Sequence, residues 1–402
     1  MNRRACIAFL LITVLLILIV LLILGLILYN APLIIAAVIV LPFFVAYLFI
    51  RLKNGFKDVP KENGFLEVEE ECLENMLGMP TRFSYQELKN VTNNFSNKLG
   101  EGGFGSVFHG TLPSGSQVAV KHLVGFGPVN KSFIAEVQTI GSIHHFNLVS
   151  LVGFCAEKFN NLLVYEYLVN GSLDRWIFNQ NHKLALGWQI RKKIILDIAK
   201  GLAYLHGDCH QKIIHFDVKP ENILLDENFN AKISDFGLSK LIGKDQSQVL
   251  TTMRGTPGYM APEWLTSTIT EKVDVYSFGI VVLEILCGRR NIDRSQQEED
   301  RHLLELLRRK QEEGQLLDLV DKCNSDMQSN AIEVVEMMKV VAWCLQTEYV
   351  KRPSMSTVVK LFEGSADVVS DNLNEDFFNG LILEATETDT STILPSILSG
   401  PR

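Results

Sequence analysis

The sequence predicts an α+β fold in which a small β-rich lobe precedes a larger helical lobe, with transmembrane helices before both. Residues 106–123 alternate between apolar and polar side chains around a turn at Pro113-Ser114-Gly115, which is typical of a β-hairpin. Apolar residues then recur at helical spacing from Ile190 to Leu205, and residues 271–288 are apolar on most faces. Both patterns indicate helices that are buried in a folded domain.

The first 50 residues predict a membrane segment, because Ala5 to Ile50 contains no charged residue. One helical span needs about 20 apolar residues, so this run is long enough for two. Asn30-Ala31-Pro32 divides it into residues 6–29 and 33–50, and the basic residues at both ends favour a helical hairpin with cytoplasmic ends. A signal peptide followed by one membrane helix is the alternative. Either arrangement places the following domain in the cytoplasm, at the plasma membrane.

Composition divides the remaining chain into three parts. Residues 51–98 mix charge with Gly, Pro and Asn and predict a juxtamembrane linker, in which Ser84 and Glu87 have the spacing of a capping box. Residues 99–363 predict the folded domain, and the acidic, Ser/Thr-rich residues 364–402 predict a disordered tail. The seven cysteines have no C-x-x-C pair, which indicates reduced thiols. Lys and Arg are not clustered, which speaks against a nucleic-acid partner.

Four polar residues that could take part in catalysis occur within one short stretch, between apolar runs that predict short buried strands. Asn222 and Asp235 offer the oxygen ligands that Mg²⁺ prefers. Asp217 is suited to orient a hydroxyl nucleophile and to accept its proton, and Lys219 is suited to stabilise negative charge on a phosphoryl group. This combination predicts phosphoryl transfer, which depends mainly on positioning and charge neutralisation.

The motif HFDVKPEN followed by DFG resembles the catalytic and metal-binding loops of eukaryotic protein kinases, and Lys219 is similar to the serine/threonine branch. Phe216 stands where many kinases have an arginine that binds an activation-loop phosphate. In this respect the chain resembles the non-RD subgroup, which is frequent among plant receptor-like kinases. Residues 81–96 resemble the segment before the kinase domain in those proteins. The nearest resemblance is to S-domain or LRK10-like receptor kinases, with no ectodomain expected.

The glycine-rich motif LGEGGFGSV, which begins at Leu99, predicts a phosphate-binding loop because glycines let backbone N–H groups approach phosphates closely. A dinucleotide-binding fold would need a helix next, whereas a hairpin follows here. The resemblance implies that Lys121 holds the nucleotide phosphates and pairs with Glu136. It also implies that Tyr165 is the gatekeeper and that the backbone of Glu166 and Leu168 meets adenine. The predicted ATP-binding residues are Leu99, Gly100, Glu101, Gly102, Gly103, Phe104, Gly105, Ser106, Val107, Ala119, Lys121, Glu136, Tyr165, Glu166 and Leu168.

The resemblance also assigns residues after the catalytic stretch. Thr251 and Thr252 are candidate phosphorylation sites, and Thr256 is expected to contact Asp217 and Lys219, although all three are also ordinary polar loop residues. Asp274 is expected to hold the backbone of the catalytic loop. Glu263 and Arg352 are expected to form a structural ion pair.

These observations together predict a two-lobed, membrane-tethered protein kinase that uses ATP and Mg²⁺ to phosphorylate Ser or Thr in protein substrates. Its expected partners are protein substrates, the membrane and other receptor-like kinases. A membrane-anchored pseudokinase that acts as scaffold or decoy is the alternative, kept open by Phe216 and the expected lack of an ectodomain. A small-molecule kinase is disfavoured by Lys219 and by the GTPGYMAPE motif.

Overall fold

The computed structural model describes residues 80–102, 105–123, 131–141, 143–157, 160–178, 186–243, 248, 251–265 and 269–364. Within these ranges, no helix combines the length and the apolar character needed to cross a bilayer. The predicted membrane segment 1–50, the linker up to residue 79 and the tail from residue 365 lie outside the described residues.

The first lobe is built on one six-stranded sheet. The sheet order is β1-β5-β6-β4-β3-β2, where the strands are β1 Thr81–Arg82, β2 Lys98–Gly102, β3 Gly105–Thr111, β4 Gln117–Leu123, β5 Leu151–Glu157 and β6 Asn160–Glu166. β1 runs parallel to β5, and the other neighbours are antiparallel. The predicted hairpin is confirmed as β3 and β4. Its turn closes at Gly115, whose φ of +88° is a conformation that favours glycine.

Two helices pack on this sheet: α1 Tyr85–Val91 and α2 Lys131–Ile140. The capping box predicted for α1 is confirmed, because the Ser84 side chain accepts the Glu87 N–H and the Glu87 carboxylate accepts the Ser84 N–H at 2.7 Å. Leu88 on α1 is fully buried in the core of the sheet. The packed structure therefore begins before the predicted domain start at Leu99, because β1 and α1 belong to the first lobe.

The second lobe is helical, and the two helices predicted from hydropathy are its long central ones. Its helices are α3 Asp174–Ile177, α4 Trp188–Ala203, α5 Lys272–Cys287, α6 Leu303–Glu312, α7 Ser325–Ser329, α8 Ala331–Cys344 and α9 Met355–Phe362. α5 is buried along nearly its whole length and packs against α8. A Cβ at Gly279 would lie 2.9 Å from the Leu345 side chain, so a larger residue would force that side chain to move.

Four short strands support the polar loops of the catalytic stretch. They pair as β7 with β10 and β8 with β9, where the strands are β7 Lys212–Ile214, β8 Ile223–Leu225, β9 Ala231–Ile233 and β10 Lys240–Ile242. The first three match the buried strands expected from the sequence. The predicted ion pair is also present in this lobe, where both oxygens of Glu263 accept hydrogen bonds from Arg352, at 2.7 and 2.8 Å. The two-lobed α+β architecture is thus confirmed.

Candidate active site

A cavity of about 300 Å³ lies between the two lobes. The sheet forms its upper wall, and the loops after β7 and β9 form its lower wall. Most of the residues predicted to bind nucleotide or metal meet here. The predicted residues that line it are Leu99, Gly100, Val107, Ala119, Lys121, Glu136, Tyr165, Glu166, Leu168, Asn222 and Asp235.

The glycine-rich loop connects β2 to β3 at the mouth of this cavity. Gly105 has a φ of +141°, and a Cβ there would lie 2.1 Å from the carbonyl oxygen of His122, so the position requires glycine. Gly100, Glu101 and Gly102 line an adjoining second cavity. Gly105 and Ser106 lie on β3 and are not among the described residues that line either cavity. Gly103 and Phe104 lie outside the described residues.

Lys121 is the centre of a buried charge cluster at the back of the cavity. Its ammonium group lies 3.3 Å from Glu136 Oε2 and 2.7 Å from Asp235 Oδ1, so the predicted Lys121–Glu136 contact is present. The Tyr165 hydroxyl also donates a hydrogen bond to Glu136. Burial alone would lower the pKa of Lys121, but the charges of Glu136 and Asp235 outweigh it and raise the pKa. Lys121 is therefore held as a cation where phosphate oxygens would lie.

The pKa values of the two carboxylates in this cluster shift in opposite directions. Burial raises the pKa of Glu136, which is fully enclosed. It acts on Asp235 in the same direction, but the adjacent Lys121 charge prevails and lowers the pKa of Asp235. Asp235 is consequently the better anionic ligand for a metal ion.

The connection between the lobes begins at the end of β6. Tyr165 lines the cavity, and its hydroxyl is directed to Glu136. The Glu166 side chain is engaged within the protein, because its carboxylate accepts the Ser150 N–H at 2.8 Å and binds the Lys232 ammonium group at 2.8 and 2.9 Å. The Glu166 backbone N–H donates to the Ser150 carbonyl at 3.1 Å. This N–H is thus already paired within the protein.

Asp217 and Lys219 meet at one hydroxyl group, that of Thr256. Thr256 Oγ1 donates to Asp217 Oδ1 at 2.6 Å, and the Lys219 ammonium group donates to Thr256 Oγ1 at 2.8 Å and to Asp217 Oδ2 at 2.8 Å. The predicted contacts of Thr256 are therefore present. A hydroxyl between a carboxylate and an ammonium group has the surroundings that a phosphate-accepting hydroxyl needs.

Buried hydrogen bonds hold the catalytic loop in place. Asp274 on α5 is fully buried and accepts the backbone N–H groups of His215 at 2.8 Å and Phe216 at 2.9 Å, as expected. Asn222 Nδ2 donates to the Asp217 backbone carbonyl at 2.8 Å and to its carboxylate at 3.0 Å. Asp217 is thus oriented from both sides.

The two predicted metal ligands lie on adjacent loops. Ser234 N–H donates to the Asn222 carbonyl at 2.9 Å, which joins the loop of Asp235 to that of Asn222, and both side chains line the same two cavities. Amide and carboxylate oxygens fit a hard divalent cation. Within the described residues, no group of three or more His, Cys, Asp or Glu side chains has metal-binding geometry. These two ligands suit a cation that also binds water and nucleotide phosphates.

Several other residues that line the two cavities were not predicted from the sequence. Leu224 lines the cavity between the lobes although its neighbours on β8 are fully buried. Strand alternation in Ile223–Leu225 was the available signal, because side chains of successive residues point to opposite faces. For the second cavity the sequence offered no such signal, because its lining comes from separate segments. The residues missed there include Glu221, Tyr259, Glu284, Arg290, Asn291 and Ile292.

The fold and this site together define an ATP-dependent phosphotransferase of the two-lobed class. Residues 94–361 match the family model described as the protein kinase domain. The chain belongs to the protein kinase family, among the plant receptor-like serine/threonine kinases. Because the lysine, the carboxylates and the amide of the site are all in place, the pseudokinase alternative is not supported.

Individual relatives agree with this assignment. A G-type lectin S-receptor-like serine/threonine-protein kinase, SD2-5, of Arabidopsis thaliana is 47% identical over 91% of this chain and 46% of its own length. A probable receptor-like protein kinase of the same plant is 42% identical over 84% of this chain and 78% of its own length. The rust resistance kinase Lr10 of Triticum aestivum is 42% identical over 82% of this chain and 52% of its own length. The chain spans less than half the length of the first of these.

Proposed function

We propose that this chain is a membrane-tethered serine/threonine kinase that transfers the γ-phosphoryl group of Mg·ATP to Ser or Thr in protein substrates. The contacts of Thr256 carry the proposal, because they place a hydroxyl within 2.6 Å of Asp217 and 2.8 Å of Lys219. A substrate hydroxyl beside these groups would donate its proton to Asp217. Lys219 would then stabilise the charge that develops on the phosphoryl oxygens.

The nucleotide would occupy the cavity between the lobes. Its adenine would lie between the apolar residues Ala119 and Leu224, and Lys121 would bind its phosphates. Asn222 and Asp235 would hold Mg²⁺, which neutralises phosphate charge when bound. The glycine-rich loop, from Leu99 to Val107, would cover the phosphates with backbone N–H groups.

Membrane attachment forms the second part of the proposal. It rests on the uncharged run from Ala5 to Ile50 and on the basic residues at its two ends. A hairpin or a single span after a signal peptide would both leave the kinase domain at the cytoplasmic face of the plasma membrane. Other receptor-like kinases at that membrane are candidate partners, and the Phe216 side chain supports membership of the non-RD subgroup.

The activity is tested by measuring Mg²⁺-dependent transfer of labelled phosphate from ATP to a Ser/Thr peptide mixture, with the full-length protein in detergent micelles. We expect transfer by the parent protein and a loss of at least about 100-fold in Asp217→Asn. Equal transfer by the two proteins would contradict the assignment. Membrane attachment is tested separately by protease protection of tags before residue 5 and after residue 57 in sealed vesicles. Two tags on the cytoplasmic side would indicate the hairpin.

A further inference from the structure

The second cavity adjoins the catalytic groups and is the place where an acceptor peptide would have to lie. Lys219 and Thr256 form part of its wall, directly beside Asp217. Asn291 also lines it. Its Nδ2 donates to the Gly258 carbonyl at 2.6 Å, whereas its buried Oδ1 has no donor among the described residues. Because buried acceptors are normally paired, a peptide N–H is the expected donor to Asn291 Oδ1.

Four acidic residues line this cavity. Glu101 pairs with Lys98 and Asp235 pairs with Lys121, whereas Glu221, in the catalytic loop, and Glu284, on α5, have no lysine partner among the described residues. Glu284 is almost fully buried and accepts hydrogen bonds from the Tyr259 hydroxyl at 3.0 Å and from the Asn291 N–H at 2.6 Å. Glu221 is more exposed and has no such backbone donor among the described residues. Two acidic groups in one groove would by themselves attract a basic side chain of a substrate.

Arg290 of the same chain, however, already pairs with Glu221 at this cavity. Its Nη1 lies 3.2 Å from Glu221 Oε1, and its guanidinium group lies over the Phe178 ring, 4.2 Å from the centroid. The ring and the carboxylate therefore hold the guanidinium group from two sides. Because Arg290 lines the cavity, a substrate cation would meet a like charge where it would otherwise find Glu221.

We propose that Arg290 occupies the acidic subsite of the acceptor groove from within the chain, and thereby makes the kinase select against arginine or lysine near the acceptor residue. This inference rests on the proposed kinase function and specifies its substrate class as neutral or acidic peptides. Arg290 is in this view a specificity-determining residue. It is not needed for the transfer step itself.

The test compares the full-length protein, Arg290→Gln and the matched control Arg289→Gln, all in detergent micelles. Arg289 is the adjacent residue, and its Nη2 donates to the Asp300 carbonyl instead of facing the groove. The probes are alanine-based peptides with one serine and one arginine, which is moved through the flanking positions, and the same peptides with glutamine in its place. The measured quantity is the ratio of kcat/KM for each arginine peptide to that for its glutamine partner.

For at least one position, we expect this ratio to rise about fivefold in Arg290→Gln, the effect of an exposed ion pair. The ratio should stay at the parent value in Arg289→Gln. In the double variant Arg290→Gln with Glu221→Gln, the ratio should return towards the parent value. Ratios in Arg290→Gln that equal those of the parent at every position would overturn the proposal. So would a fivefold rise that persists after Glu221→Gln, because the attraction would then not come from Glu221.

A binding measurement keeps this result separate from the kinase assignment. Fluorescence anisotropy of labelled arginine and glutamine peptides, with a non-hydrolysable ATP analogue and Mg²⁺, gives the ratio of their affinities without any transfer step. Absence of phosphate transfer by every variant would count against the proposed function. If Arg290→Gln binds the arginine peptides more tightly relative to the glutamine peptides than the parent does, the role of Arg290 would still be supported. Equal affinity ratios in the parent and the variant would refute it.

Discussion

The Asp274 carboxylate accepts the backbone N–H of Phe216 at 2.9 Å, deep within the second lobe. Phe216 has a φ of +70°, a left-handed backbone conformation that is unfavourable for a bulky side chain. Its ring is buried against Trp264, with 5.4 Å between the ring centroids. The hydrogen bond and this packing stabilise the conformation that directs the next residue, Asp217, towards the site.

Asp274→Asn should weaken the catalytic loop, because the amide retains only one acceptor oxygen for the buried N–H groups of His215 and Phe216. We expect the free energy of unfolding to fall by about 1–3 kcal/mol. The transfer rate should fall about 10- to 100-fold as Asp217 shifts. Thermal unfolding and steady-state kinetics measure the two effects. The exposed Asp318→Asn serves as control, and an unchanged rate in Asp274→Asn would refute the positioning role.

Substitutions at Thr256 test whether the hydroxyl between Asp217 and Lys219 matters for transfer. Thr256→Ala removes the group that links them and should lower kcat by about tenfold, because Lys219 loses one of the two acceptors that it has among the described residues. Thr256→Ser keeps the hydroxyl and should stay within about threefold of the parent. Equal kcat values for the alanine and serine variants would show that the hydroxyl has no role.

Glu284 should make stability depend on pH. Burial raises the pKa of Glu284 to about 7, from an ordinary value of 4.5, so the folded protein binds this proton more tightly than the unfolded chain. Its contribution to stability therefore falls as pH rises from 4.5 to 7, by up to about 3 kcal/mol. Glu284→Gln should remove this part of the decline. Denaturant unfolding at a series of pH values measures the free energy of unfolding, with the exposed Glu312→Gln as control. Parallel curves of this free energy against pH for the parent and Glu284→Gln would contradict the prediction.

Activation-loop phosphorylation should have only a modest effect on activity. Phe216 is buried and cannot pair with a phosphate, so the arginine that would bind one is missing from this position. Thr251→Ala combined with Thr252→Ala should therefore retain transfer within about threefold of the parent. Kinetics of both proteins, with circular dichroism to check the fold, measure the effect. Loss of transfer in a folded double variant would show that the loop phosphates are required.

Features that depend on nearby residues could be predicted from the sequence alone. The hairpin of β3 and β4, the capping box at Ser84 and the helices α4 and α5 follow from side-chain periodicity and local hydrogen bonding, which short stretches of sequence specify. The order of the motifs also indicated the family, and with it the Lys121–Glu136 and Asp274 contacts. The residue types of the catalytic stretch indicated its chemistry.

Only the tertiary structure could decide contacts between segments that are distant in the chain. Packing of β1 against β5 sets where the first lobe begins, and the approach of α2 to β6 brings the Tyr165 hydroxyl to Glu136. In the same way, the loop after α5 brings Arg290 to Glu221, although 69 positions separate them. Neither periodicity nor motif spacing predicts these contacts, because they depend on how complete helices and strands pack against each other.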